Sequence, residues 1–283
     1  MANSYLNIVT FLFTTLFYYM AIKPNLTLNS LIDPVQYKKY MSSSYMYLAV
    51  YLLLVMVIQF IVNASVITSN CGGNITENMG AAGIYTFIPW ILIFGVVILV
   101  LTIYPGFKSA FSDVIGYFYV SSSANKVLTT LLIDKDVQKK IDTDTTSTEE
   151  QKKSMQEAAD AIIKICGNTS ILINQIVPSN FMEYWNILTP LMKTQYQTSG
   201  PETEKLKSEL FELVVTRDNV GEAMWFMYTG LLLTSIVQLK LTTRGCTTNP
   251  DTMQKNYQSY LQQQETADKQ QQQATGTVYT VSG

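Results

Sequence analysis

The sequence predicts an all-α membrane protein: transmembrane helices near the N-terminus, three of them, then a mainly helical soluble head and a polar, Gln-rich tail. Charge distribution carries the prediction. Lys and Arg total 19 and Asp and Glu 21 over 283 residues, yet only Lys23, Asp33, Lys38, Lys39 and Glu77 precede Lys108. The uncharged stretches 45–67 and 81–104 each exceed the ~20 mostly apolar residues that cross a hydrocarbon core. Beyond Lys108 the charge density is that of an ordinary water-soluble domain.

The first apolar stretch, 1–22, contains LNIVTFLFTTLFYYMAI, which a signal peptide could imitate. No Lys or Arg precedes it, no Ala-x-Ala site lies before Lys23-Pro24, and Tyr18 and Tyr19 suit a membrane interface, so it is expected to be a retained span. The second span, 45–67, holds Gln59 and Asn63, amides that can hydrogen-bond between helices. The third, 81–104, starts with the small residues Gly80 to Gly83, expected to permit close helix approach, and carries Pro89 in its outer turns.

Loop charge sets the expected orientation. The residues before Leu6 and the loop 68–80 contain no Lys or Arg, whereas the loop 23–44 has three lysines and Lys108 follows the last span. Lys and Arg concentrate on cytoplasmic sides, which predicts a lumenal N-terminus and a cytosolic head. Of the sequons at Asn25, Asn63, Asn74 and Asn168, only Asn74 then lies lumenally and clear of the bilayer, making it the candidate glycosylation site.

Pro105-Gly106 ends the third span, and the head is expected to run over 105–250. Residues 111–133 have helical apolar spacing, 134–148 read as a charged loop, and 148–166 read as a helix stopped by Gly167. The segment 171–177 fits a strand or a helical turn equally. Pro178-Ser179-Asn180 opens a helix whose Phe181, Tyr184, Trp185 and Leu188 share a face, as core or as a docking surface. Pro201 opens another, through Val215. The uncharged stretch 223–239 is about one span long; it is expected to be a buried helix of the head, with a fourth span as the alternative. From 251 to 283 the chain is too polar for a core and is expected to be disordered or held by a partner.

Histidine is absent, which removes Ser-His-Asp and Cys-His nucleophiles and His-bearing zinc sites. The three cysteines form no CxxC, and no Walker, GxGxxG or EF-hand pattern occurs. No catalytic, metal or cofactor-binding residue is therefore expected, and the chain is read as not an enzyme. With a net charge of −2 and no basic face, no nucleic-acid partner is expected either. Cys166 and Cys246, each beside a glycine after an apolar helix, are the candidate disulfide, although a cytosolic head would keep them as thiols; Cys71 is left as a lone lumenal thiol.

Four stretches carry a resemblance: CGGNITENMGAAGIYTFIPW from Cys71, IYPGFKSAFSDVIGYFYV from Ile103, VPSNFMEYW from Val177 and RDNVGEAMWFMYTGLLLTSIV from Arg217. Across most of residues 1–250 the chain resembles the membrane-bound minor capsid proteins of nucleocytoplasmic large DNA viruses, especially those of algae. The resemblance implies a structural virion protein in an internal membrane derived from the host endoplasmic reticulum, tethering it to the icosahedral shell. Its partners would be the lipid bilayer, the major capsid protein and other minor capsid proteins. Lys108, the stripe Phe181, Tyr184 and Trp185, and Gln262 and Gln263 of the tail are the candidate capsid contacts. A transport or channel component is the rival reading, needing polar groups that converge inside the bundle. A membrane thiol enzyme on Cys166 and Cys246 is a weaker third.

Overall fold

The computed structural model describes residues 5–72, 74–132, 169–243 and 250–275. Every regular element among them is helical, and their β pairing is a single antiparallel bridge between Leu132 and Met192. The long helices are α1 (Leu6–Ile22), α3 (Pro34–Cys71), α4 (Ile75–Ile103) and α8 (Pro201–Thr243), and shorter ones lie between them. These are α2 (Leu28–Ile32), α5 (Tyr117–Leu131), α6 (Thr169–Gln175) and α7 (Phe181–Leu188); α9 (Pro250–Thr275) ends the described chain.

Local chemistry explains the helix starts. Thr27 and Asp33 accept hydrogen bonds from the first turns of α2 and α3, and Pro34 and Pro201 occupy positions where no N–H is needed. Pro89 inside α4 removes a backbone donor, and the chain continues as a π-helical turn, Trp90–Gly95, before resuming α geometry. Further π turns close α1 (Tyr18–Ile22) and precede α5 (Ser112–Gly116).

Two packed regions result. In the bundle, Phe11 and Tyr18 of α1, Tyr51 and Val55 of α3, Trp90 and Phe94 of α4, and Phe226 and Leu233 of α8 form one core. A second cluster joins Val62 and Ile67 of α3 and Ala82 of α4 to Val237 and Leu241 of α8. In the helical cap, Leu28, Val120, Leu128, Ile173, Phe181, Trp185, Phe211 and Val214 pack together. The helix α8 has 43 residues, ~65 Å at 1.5 Å per residue, twice a hydrocarbon core, so its first half serves the cap and its second the bundle.

The outer surface of the bundle is inverted relative to a water-soluble helix. Phe13 and Leu16 of α1, Leu53, Val57 and Ile61 of α3, and Ile88, Leu92 and Leu99 of α4 are all exposed. On α8 the exposed face is Tyr228, Leu232, Ile236 and Leu239, spaced at three and four. An apolar belt of this extent fits a hydrocarbon surround. The helices α3, α4 and α8 are long and apolar enough to cross a membrane, and α1 is a shorter apolar helix.

Several expectations change. The stretch 223–239 is no buried helix of the head: it packs along α1, α3 and α4 and turns an apolar face outward. Nor does a helix end near Val215, because α8 runs unbroken through the RDNVGE segment. The second span begins inside the 23–44 loop, at Pro34, and Leu26, Leu28, Tyr37 and Tyr40 of that segment pack on the cap. The ambiguous 171–177 is mostly α6. Residues 250–275 of the tail are helical: Gln, Ala, Glu and Lys are good helix formers, so a segment without a core still has a helix. The expected loop 134–148 and helix 148–166 lie outside the described residues.

Close approach occurs away from Gly80 and Gly83, which meet nothing nearer than 3.8 Å. It falls at Gly230 of α8, where the ring of Phe11 occupies the space of a side chain.

Candidate functional site at the junction of bundle and cap

The first charged residues beyond the apolar stretches meet at one level. Lys23 follows α1, Lys108 follows α4, and Asp218 and Glu222 precede the apolar half of α8. Lys23 pairs with Glu222 Oε1; Lys108 Nζ donates to Asp218 Oδ2 at 2.9 Å and lies 2.8 Å from Glu222 Oε2. Tyr19 donates its hydroxyl to Glu222 Oε1 at 3.0 Å, and the Lys23 ammonium lies 4.9 Å from the Tyr19 ring centre. The side chains of Lys23, Glu222 and Lys108 are 8%, 11% and 15% exposed, so this is an interior ion cluster.

Backbone approach brings these groups together. The segment 105–116 lies against α8 so closely that a Cβ on Gly221 would sit 2.6 Å from Ser112 Cβ, and one on Gly116 2.6 Å from the Arg217 carbonyl oxygen. Gly221 is thus helical because glycine alone fits there. The charges of Asp218 and Glu222 are answered by Lys23, next after α1, and by Lys108 of the 105–116 segment.

Burial raises the Glu222 carboxyl, but the adjacent Lys23 and Lys108 ammoniums prevail and hold it at about 2. Burial lowers Lys108, and Glu222 and Asp218 overcome it, leaving Lys108 above its usual value. For Lys23 burial prevails over Glu222 and the value falls. Immediately before Asp218, Arg217 is fully buried and donates to the carbonyl oxygens of Ile173 and Ile176 and to Asn174 Oδ1. Burial lowers it as well, and its Nε has no partner.

Next to the cluster is a partly open cavity of about 460 Å³. Lys23, Lys108, Asp113, Asn174, Arg217 and Glu222 supply polar wall; Tyr18, Leu48 and Leu101 supply apolar wall toward the bundle. Deeper in the bundle, a second polar group links four helices. Asn7 Nδ2 donates to Asn63 Oδ1 and Gln238 Oε1, both at 2.9 Å; Gln59 donates to the Asn7 carbonyl at 3.0 Å, and Asn63 Nδ2 to Thr86 at 2.8 Å. Among the described residues, no group of three or more His, Cys, Asp or Glu is placed to hold a metal ion.

The expected contact residues fare unequally. Lys108 belongs to the ion cluster, Phe181 and Trp185 are buried in the cap, and Tyr184 is half-buried against the same core. Phe181 and Trp185 thus face the cap core, and Lys108 faces the ion cluster and the cavity beside it. Gln262 and Gln263 are exposed on α9, and Asn74 is exposed at the start of α4, where Glu77 accepts from its backbone N–H at 3.5 Å. Cys166 and Cys246 lie outside the described residues, and so does Asn168. Cys71, expected to be a lone thiol, is disulfide-bonded.

Sequence reasoning used Lys23 and Lys108 for orientation and Glu222 as a border, and missed that opposite charges bordering three apolar helices meet at one end of the bundle. Comparison with known proteins gives no match: no protein-family model, curated protein or solved structure is similar to this chain.

Proposed function

We propose that the chain is a structural membrane protein of a large DNA virus, held in the internal membrane by α1, α3, α4 and α8, with the cap on the side where the capsid shell assembles. The observation that carries this reading is mechanical. Helices α3 and α8 run from the apolar belt into the cap without a hinge, and the Lys23–Glu222–Lys108–Asp218 cluster locks the ends of α1 and α4 to α8 at the boundary. A head joined in this way transmits load instead of swivelling, which suits a tether. The sequence resemblance supplies the viral and capsid terms. With single contacts repeated over a lattice, each need only be weak.

Shell contacts then fall to exposed groups of the cap, among which Phe118 and Tyr119 are the largest apolar ones, 84% and 72% exposed. The test is co-purification of the full chain with major capsid protein from infected cells after detergent extraction, compared with the Phe118→Ala/Tyr119→Ala variant. Loss of capsid protein from the variant supports the tether; a wild-type chain that brings down no capsid protein refutes it.

The transport reading gains one observation, the convergence of Asn7, Gln59, Asn63, Thr86 and Gln238 inside the bundle. Those side chains bond one another, leaving the buried Asn7 Oδ1 without a partner, and no Asp, Glu, Lys or Arg lies within 6–22, 45–67, 81–104 or 223–239, so the network reads as helix glue. Ion flux in liposomes containing the purified chain would reverse that preference.

A further inference from the structure

We propose that the cavity at the junction binds the headgroup of a zwitterionic phospholipid, a phosphate ester carrying a primary ammonium, drawn from the leaflet next to the cap. The proposal rests on the membrane reading of the chain and is independent of the capsid tether.

Three observations define the ligand. The first is unused hydrogen-bonding capacity beside the cavity: an ammonium has three N–H donors, yet Lys23 is bonded to one carboxylate oxygen and Lys108 to two. Buried donors of this kind call for an acceptor, and a phosphate offers several. The second is charge balance. The same wall carries Asp113, Asp218 and Glu222, so a ligand of net negative charge would meet three carboxylates along with the three cations. Asp113 is the least committed of them: its side chain is 36% exposed, accepts from the Ser112 hydroxyl at 3.2 Å and lies 3.9 Å from Arg217. It is placed to receive an ammonium while the cations hold the phosphate.

The third is position. Tyr45, Pro105 and Gly106 line the cavity and are themselves exposed, so its mouth lies between α3 and the end of α4, at the edge of the apolar belt. Tyr18, Leu48 and Leu101 give it an apolar side toward the bundle, where glycerol and the first methylenes would lie. A volume of about 460 Å³ is within the usual range for small-molecule sites. A free polar metabolite would have no use for the apolar side; a lipid uses both.

The experiment is native mass spectrometry of the full chain released from detergent micelles. The micelles are doped in turn with phosphatidylethanolamine, phosphatidylglycerol and phosphatidylcholine, and, separately, soluble phosphoethanolamine or inorganic phosphate is added. The expected result is one retained phosphatidylethanolamine at an occupancy at least tenfold above phosphatidylglycerol. Ser44→Trp on α3 and Ser179→Trp on the opposite wall each fill the cavity from outside the ion cluster and should each reduce retention at least tenfold; the second serves if the first disturbs folding. Equal retention of the lipids, retention unchanged by both variants, or binding of the soluble phosphates without lipid would overturn the proposal. Release of the chain by alkaline carbonate would instead defeat the membrane reading, so the two failures are distinguishable.

Discussion

Gly230→Ala measures whether the second half of α8 belongs to the bundle. A Cβ at that position would lie 1.9 Å from Phe11 Cζ and 2.3 and 2.5 Å from its two Cε atoms, all inside van der Waals contact. The ring cannot tilt away cheaply, because Phe11 is fully buried with Trp90 5.4 Å and Phe94 5.9 Å away, centre to centre. The methyl group must push α1 off α8, and overpacking of this kind costs about 1–3 kcal/mol. Phe11→Ala alone should cost ~3–5 kcal/mol, since it empties a ring-sized space. In the double variant the new methyl enters that space, so the two costs should fall short of their sum by about 1–3 kcal/mol. The assay is a double-mutant cycle from reversible denaturation of the full chain in mixed micelles. If Gly230→Ala is within ~0.5 kcal/mol of wild type, or the two changes simply add, α1 does not lie on α8 and the four-helix packing is wrong.

Other perturbations probe the junction and the orientation. Glu222→Ala leaves Lys23 and Lys108 without their shared carboxylate, and removing one partner of a buried ion cluster should cost roughly 3–5 kcal/mol in the same denaturation assay. The folded Glu222 carboxyl at about 2 lies below its ordinary 4.5, so its share of stability, about 3 kcal/mol, is complete above pH ~5 and disappears as pH falls toward 2. Wild type should therefore lose its advantage over Glu222→Gln across that interval, whereas a constant difference from pH 7 to 3 would contradict the assignment. Asn63→Leu removes the residue that joins Asn7 to Thr86 and should destabilise by about 0.6–2 kcal/mol, with ion flux unchanged if the network is only glue. Peptide mapping without reductant should recover Cys71 in a disulfide-linked peptide, and a Cys71 thiol alkylated in the unreduced protein would contradict the structure.

The helical class and three of the bundle helices were legible because lipid-facing and core-facing side chains are both apolar, so long uncharged runs survive in the sequence. The same fact hid α8. Its apolar stretch is only about one span long and fits a buried helix as well as a crossing, and a crossing would put Arg244 and the tail on the lumenal side, which weighed for the head. In the folded chain Arg217 is spent on carbonyls of 173–176, Asp218 and Glu222 on two lysines, and Gly221 on contact with Ser112. Each partner lies 41 or more residues away, beyond the reach of helical spacing rules. The aromatic stripe was read correctly as one face, but periodicity cannot tell a face that meets a core from one that meets a partner. Only the packing of Phe181 against Phe211, with ring centres 4.9 Å apart, decides that.

Placing α8 in the bundle reverses one consequence for the tail. With three spans the cap and α9 share a side; with four, α9 emerges at the end where Cys71 and Asn74 lie. A disulfide at Cys71 agrees with an oxidising compartment at that end, and the lysines at 23, 38, 39 and 108 agree with the cytosol at the other. Gln262 and Gln263 then face away from the shell that the cap would meet, and a capsid contact through them becomes incompatible with one through the cap. A C-terminal epitope tag decides the matter. In sealed microsomes it should be protected from added protease under the same conditions that cleave the cap, and a tag digested together with the cap would return α8 to the near side of the membrane.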